Sequence, residues 1–117
     1  MPEHEKINYV EFPSRDLGET KRFFERVFGW TFEDYGPDYT AFTGAGLNGG
    51  FHKAELRSVA DKGGALIVLY SEDLADTQAR IEAAGGAISV PVFEFPGGRR
   101  FHFREPSGNE LAVWSDR

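Results

Sequence analysis

Glu11, His102 and Arg104 are the side chains of this sequence with the most obvious chemical uses. Glu11 lies inside the short β-type run Ile7 to Phe12. A carboxylate held against apolar surface has a raised pKa and can act as a general base, or it can hold a cationic ligand. The competing reading is a rim carboxylate paired with Arg or Lys. His102 can move a proton near neutral pH. Arg104, two residues on, can clamp a carboxylate or phosphate with its planar fork. The same pair could instead be a solvated strand edge or a dimer contact. His52 could join Glu11, His102 or Glu110 in an unusual metal set. Tyr9, Tyr70 and Trp114 could wall a pocket for a ring or a cation, with core filling as the rival. Arg99-Arg100 is a basic doublet, and it reads as solvated.

What must position these residues follows from composition and pattern. The chain has 117 residues, which predicts one domain spanning 1–117. The formal charge of −6 argues against nucleic acid, whose phosphates would be repelled. With no cysteine, disulfides, thiolate catalysis and Cys-ligated metal are excluded. No apolar run approaches the ~20 residues that span a bilayer. The start, Met1-Pro2-Glu3-His4-Glu5-Lys6, has no apolar signal core. The expected location is the cytoplasm. Eleven phenylalanines must fill a core, a cleft or an interface.

An internal repeat organises the chain. Asp16-Leu17-Gly18-Glu19-Thr20 corresponds to Asp73-Leu74-Ala75-Asp76-Thr77, 57 residues on. Each follows a β-type run, Ile7 to Phe12 or Ala65 to Tyr70, and each opens a helix that stops near Gly29 or at Gly85-Gly86. Asp16 reads as an N-cap, with Glu19 placed to reach back in a capping box. Leu17, Phe24, Val27 and Phe28 form one helical stripe, and Leu74, Ile81 and Ala84 another. Three strand-like pieces follow each helix: Trp30–Tyr35, Tyr39–Thr43 and Leu47–Lys53, then Ala87–Phe95, Arg99–Glu105 and Glu110–Ser115. Ala54 to Gly64 reads as a polar link. The prediction is α+β, two tandem βαβββ modules over about 6–53 and 65–116, related by pseudo-two-fold symmetry. Alternation puts Val10, Phe12, Leu111 and Val113 under the helices. It puts Tyr9, Glu11, His52, Tyr70, His102, Arg104 and Trp114 on the other side, facing one concave cleft.

Four stretches carry a family resemblance: Ile7-Asn8-Tyr9-Val10-Glu11-Phe12, Ser14-Arg15-Asp16-Leu17, Phe23-Phe24-Glu25-Arg26-Val27-Phe28-Gly29-Trp30, and Phe101-His102-Phe103-Arg104-Glu105-Pro106-Ser107-Gly108-Asn109-Glu110-Leu111. They resemble the glyoxalase / bleomycin-resistance / dioxygenase superfamily, the vicinal oxygen chelate proteins. Gly49-Gly50 is similar to a step in its small glyoxalase-like members. The resemblance implies a homodimer and a cleft that takes a small molecule. It also implies a metal held at four strand positions, which here look like Tyr9, Gly50, Leu66 and Ala112. Leu, Gly and Ala cannot ligate a metal, and neutral Tyr is a poor ligand. In fosfomycin-resistance relatives the position resembling His102 points at the substrate. The expectation is a small organic ligand bound without the usual metal, with Glu11 and His102 as catalytic candidates and Tyr9, His52, Tyr70, Arg104 and Trp114 as ligand contacts. The rivals are a divalent-metal-dependent lyase, isomerase or dioxygenase, and a drug-sequestering protein.

Overall fold

The computed structural model describes residues 2–117. Its elements are β1 (Tyr9–Ser14), α1 (Leu17–Phe28), β2 (Thr31–Asp34), β3 (Tyr39–Thr43), β4 (Asn48–Lys53), a 3-10 turn at Ala60–Lys62, β5 (Ile67–Tyr70), α2 (Leu74–Ala83), β6 (Ala87–Phe95), β7 (Gly98–Arg104) and β8 (Glu110–Ser115). Two four-stranded sheets result, ordered β1-β4-β3-β2 and β5-β8-β7-β6. In each, the first strand runs parallel to the last and the other pairs are antiparallel. This is the α+β, twice-βαβββ arrangement expected from the repeat.

The repeat extends to individual hydroxyls. Asp16 caps α1 by accepting from Glu19 N at 3.0 Å, and Asp73 caps α2 by accepting from Asp76 N at 3.1 Å. Such a cap is worth about 1 kcal/mol. The expected capping box does not form. Ser14 Oγ, not Glu19, accepts from Asp16 N at 3.2 Å, and Ser71 Oγ accepts from Asp73 N at 3.0 Å. Each serine also bonds the threonine six residues on, Ser14 to Thr20 and Ser71 to Thr77, both at 2.7 Å. The threonines are buried on the helix side facing the sheet. A hydroxyl already placed at the strand end satisfies the cap N–H without ordering a longer glutamate.

The phenylalanines mostly go to one core shared by both modules. Phe12, Phe23, Phe24, Trp30, Phe42 and Phe51 from the first half join Leu74, Ile81, Phe101, Phe103, Leu111 and Val113 from the second. Trp30 stacks between Phe24 at 4.5 Å and Phe42 at 4.6 Å. Phe23 and Phe28 both reach Phe103 across the module boundary, with centroids 6.1 Å apart in each pair. Gly49 permits this packing, because a Cβ there would lie 2.5 Å from Phe42 Cζ and would also meet the β1 backbone.

The Glu105-Pro106-Ser107-Gly108-Asn109 turn joins the modules. Ser107 Oγ lies 3.1 Å from both Ser14 Oγ and Thr20 Oγ1. Asn109 donates from Nδ2 to Pro13 O at 2.7 Å, and its Oδ1 accepts from Ser58 N at 2.8 Å. The connecting segment is therefore more than a polar link. Val59 is buried, Ser58 O accepts from Glu110 N at 2.8 Å, and Ala60 N donates to Glu110 Oε1 at 3.0 Å. It is a strap across the start of β8.

Glu105 is 2% exposed and keeps one carboxyl oxygen without a partner, while the other accepts from Asn109 N at 2.9 Å. Burial pushes its pKa up to about 7, against the pull of the turn's own N–H groups. A carboxyl raised in the folded state stabilises fully below its unfolded pKa, and that stability is lost as pH rises through the folded value. Thermal melts should show the wild type losing on the order of 3 kcal/mol relative to Glu105→Gln between pH 4.5 and 8. Parallel pH profiles for the two proteins would contradict this account.

Candidate functional site

Module one presents an uncovered face opposite its helix. Pairing aligns Glu11, Gly50 and Ala41 in one row, and Pro13, His52 and Tyr39 in the next. Tyr39 leans back over Gly50 and occupies the space that a side chain at position 50 would need. Its hydroxyl donates to Glu11 Oε2 at 2.9 Å and so must accept from Tyr9, whose oxygen is 2.5 Å away. The result is a directed chain from Tyr9 through Tyr39 to Glu11. Burial, then the bonds to Tyr9 and Glu11, hold the Tyr39 phenol well above its ordinary range. It stays a proton donor at any physiological pH. His52 is exposed and makes no side-chain hydrogen bond.

Module two presents a more enclosed face. Here β8 lies between β5 and β7, and pairing sets Tyr70, Trp114 and Arg100 in one row, Val68, Ala112 and His102 in the next, and Glu110 beside Arg104. His102 is buried, with Nδ1 3.0 Å from Glu110 Oε2. Glu110 also accepts from Ala60 N at 3.0 Å and Ser89 Oγ at 3.3 Å. Burial raises its pKa, but those donors, the Ala60 N–H first and then His102, outweigh it and leave the carboxyl below its usual range. An ionised Glu110 accepts from His102 Nδ1, which fixes the ring's orientation and turns Nε2 away from the pair. Nε2 is buried and unpartnered. Register shifts in β6 between Ile88 and Phe93 turn both Ser89 and Val90 toward this place. Together with Ala60, Asp61, Arg104, His102 and Glu110 they line an open pocket of about 460 Å³.

The seven residues predicted to share a cleft fall into two groups. Tyr9 and Glu11 meet through Tyr39, with His52 on the same face. Tyr70 and Trp114 meet edge to face at 5.1 Å, on the face that carries His102 and Arg104. Among the described residues no hydrogen bond or ring contact joins one group to the other. The modules share one core through their helix-bearing faces. Sequence reasoning missed Tyr39, and it weighed Glu110 only as a metal donor. Alternation could have placed both on the open faces, but their partners depend on strand register. Arg100, read as solvated, is half-buried, and its guanidinium carbon lies 5.2 Å from the Phe93 ring centroid and 5.8 Å from that of Phe95. Only Arg99 of the doublet is exposed, held to Arg117 O at 2.8 Å.

A second concavity of about 580 Å³ lies between the modules, lined by Val10, Phe12, Trp30 and Phe42 and by Leu66 to Tyr70. Its lining is apolar apart from Tyr70. Of the four positions implied for a metal, Tyr9 offers a hydroxyl already bound to Tyr39, Gly50 lies beneath that ring, Leu66 lines the apolar groove and Ala112 is buried. Among the described residues, no three His, Cys, Asp or Glu side chains converge on one point. No helix among them is long and apolar enough to cross a membrane.

Two tandem βαβββ modules with open sheet faces define a glyoxalase-like fold. The family model described as Glyoxalase/Bleomycin resistance protein/Dioxygenase superfamily matches residues 6–113, and the chain belongs to that superfamily. Among solved structures it is similar to a glyoxalase-related enzyme from Fulvimarina pelagi, with 16% identity, 95% of this chain and 88% of the other covered, and a TM-score of 0.77. It is also similar to a variant of the fosfomycin resistance protein FosX from Listeria monocytogenes complexed with Mn(II) and 1S,2S-dihydroxypropylphosphonic acid, with 19% identity, 94% and 89% covered, and a TM-score of 0.77. A lactoylglutathione lyase from Agrobacterium tumefaciens has 21% identity, 95% and 93% covered, and a TM-score of 0.70. At these identities the likeness is one of fold. No curated protein matches the sequence significantly.

The overlap of Tyr39 with position 50 can be measured. Gly50→Ala should destabilise the protein by about 1–3 kcal/mol, the usual cost of overpacking. The same change in a Tyr39→Ala background should cost less than half of that, because the ring that blocks the methyl group is gone. Denaturant unfolding of the four proteins checks this, and additive effects would refute the overlap.

Proposed function

We propose that this protein binds a small organic molecule on the uncovered face of module two, without the metal that the superfamily fold implies. The observation that carries the reading is the His102–Glu110 pair. A buried imidazole is fixed in orientation by an ionised carboxylate, beside Arg104, in a pocket of about 460 Å³. That volume is within the range of small-molecule sites. His102 Nε2 is without a partner, and a polar group of a ligand would satisfy it. Phe93, on the irregular part of β6, lies 6.0 Å from the imidazole. Residues around the four implied metal positions do not form a donor set for a divalent ion. His102 can hold or accept a proton, Glu110 sets its orientation, and Arg104 attracts negative charge. Glu11, polarised by the Tyr9–Tyr39 chain, is the corresponding proton-handling group of module one.

A homodimer fits the unpaired edges of the two sheets. β1 and β5 are both edge strands, and Tyr9, Val68 and Tyr70 along them are exposed, as is Ile7 just before β1. Exposed apolar edges invite pairing with another chain. An acidic chain that binds small molecules also fits the cytoplasm.

Screening a panel of small metabolites by thermal shift tests the reading, using protein purified without a metal-affinity tag and treated with a chelator. We expect substoichiometric metal as isolated and no lactoylglutathione lyase activity. We expect hits that bind equally well with or without added Mn(II), Ni(II) or Zn(II). His102→Gln and Arg104→Ala should weaken those hits at least tenfold while the proteins stay folded. Tight stoichiometric metal, or binding indifferent to both substitutions, would overturn it.

A further inference from the structure

We infer that the ligand of module two is an organic anion with a flat apolar body, and that Arg100 selects it by charge. This rests on the reading that the module-two face binds a small molecule, and it adds the ligand's chemical class and a specificity residue. Thirteen basic side chains are present, and three of them are half-buried: Lys21, Arg100 and Arg104. Lys21 is paired with Asp34 at 3.0 Å. Neither arginine has a carboxylate within 4.0 Å, although the chain carries a net charge of −6. A cation drawn partly out of water without a counter-charge is costly, and proteins normally pair it.

Alternation along β7 puts Arg100, His102 and Arg104 on the same face. Asp61 lines the same pocket as Arg104 without pairing with either arginine, and Glu110 already has its oxygens engaged by Ala60, Ser89 and His102. It does not neutralise either arginine. The Arg100 Nε is buried and unpartnered, whereas its Nη atoms make no hydrogen bond and reach solvent. Phe93 and Phe95 hold the guanidinium plane. Trp114 lies in the next strand at the same level and packs on Phe95 at 6.3 Å. A rigid planar fork with two free donors, set among aromatic rings, is suited to a carboxylate or phosphonate attached to a ring or unsaturated chain. An ammonium ligand would meet like charge from both arginines.

Isothermal titration calorimetry with 2-naphthoate, 2-naphthylphosphonate, 2-naphthamide and 2-naphthylmethylammonium tests the assignment, with the Trp114 indole N–H resonance reporting the site. The naphthalene body is constant, so the comparison isolates the head group and separates carboxylate from phosphonate. We expect one or both anions to bind at least tenfold more tightly than the amide, and the ammonium probe more weakly still. Arg100→Gln should abolish the anion preference, and Arg100→Lys should keep part of it. Arg99→Gln, which removes the same charge from the opposite face, should leave it intact. If Arg100→Gln fails to fold, Arg100→Lys against Arg99→Gln carries the comparison. Equal binding of amide and anions, or an anion preference untouched at Arg100, overturns the assignment and leaves small-molecule binding standing. No saturable heat and no Trp114 shift with any probe overturns both.

Discussion

The buried amide of Asn109 holds the molecule's parts in register. A buried amide must spend its donors and its acceptor, or it costs more than an apolar side chain would. Asn109 gives its N–H to Pro13 O in β1 and takes the N–H of Ser58 in the strap. One side chain therefore ties module one, the connection and module two together. The strap, once fixed, presents Ala60 N to Glu110, and Glu110 in turn orients His102. The candidate site lies three hydrogen bonds away from a turn that looks purely architectural.

The two modules share a plan but differ in what their open faces hold. In module one, Gly50 leaves room for the Tyr39 ring, and the face becomes a chain of hydroxyls ending on an exposed carboxylate. In module two the central strand is closed over, and even its outward residues Glu110 and Ala112 are buried. Low water access strengthens a charge pair and makes an unpaired nitrogen expensive. That contrast directs attention to His102 and the two arginines rather than to Glu11. It also explains why the glycine pair matters: Gly49 admits Phe42 to the core below the sheet, and Gly50 admits Tyr39 above it.

Much of this was legible in the amino-acid order. The repeat at 57 residues marked both modules, and it extends to Ser14–Thr20 and Ser71–Thr77, where the same hydroxyl contact recurs. Three of the eight strands, Tyr39–Thr43, Ala87–Phe95 and Glu110–Ser115, have the boundaries that turn residues and alternation predict. Local chemistry suffices there, because turns and period-two patterning act over a few residues. Alternation likewise assigned Phe12, Leu111 and Val113 to the core and Tyr9 and Glu11 to the open side. What only the tertiary structure decided was which side chains meet. Tyr39 reaches Glu11, Glu110 reaches His102, and Arg100 settles on Phe93 and Phe95, because strand register and the bulged β6 bring them together. The division of the seven candidate residues into two contact groups has the same cause. Apolar periodicity says which side of a strand is buried, but how two sheets are placed around a shared core depends on long-range packing that no local pattern encodes.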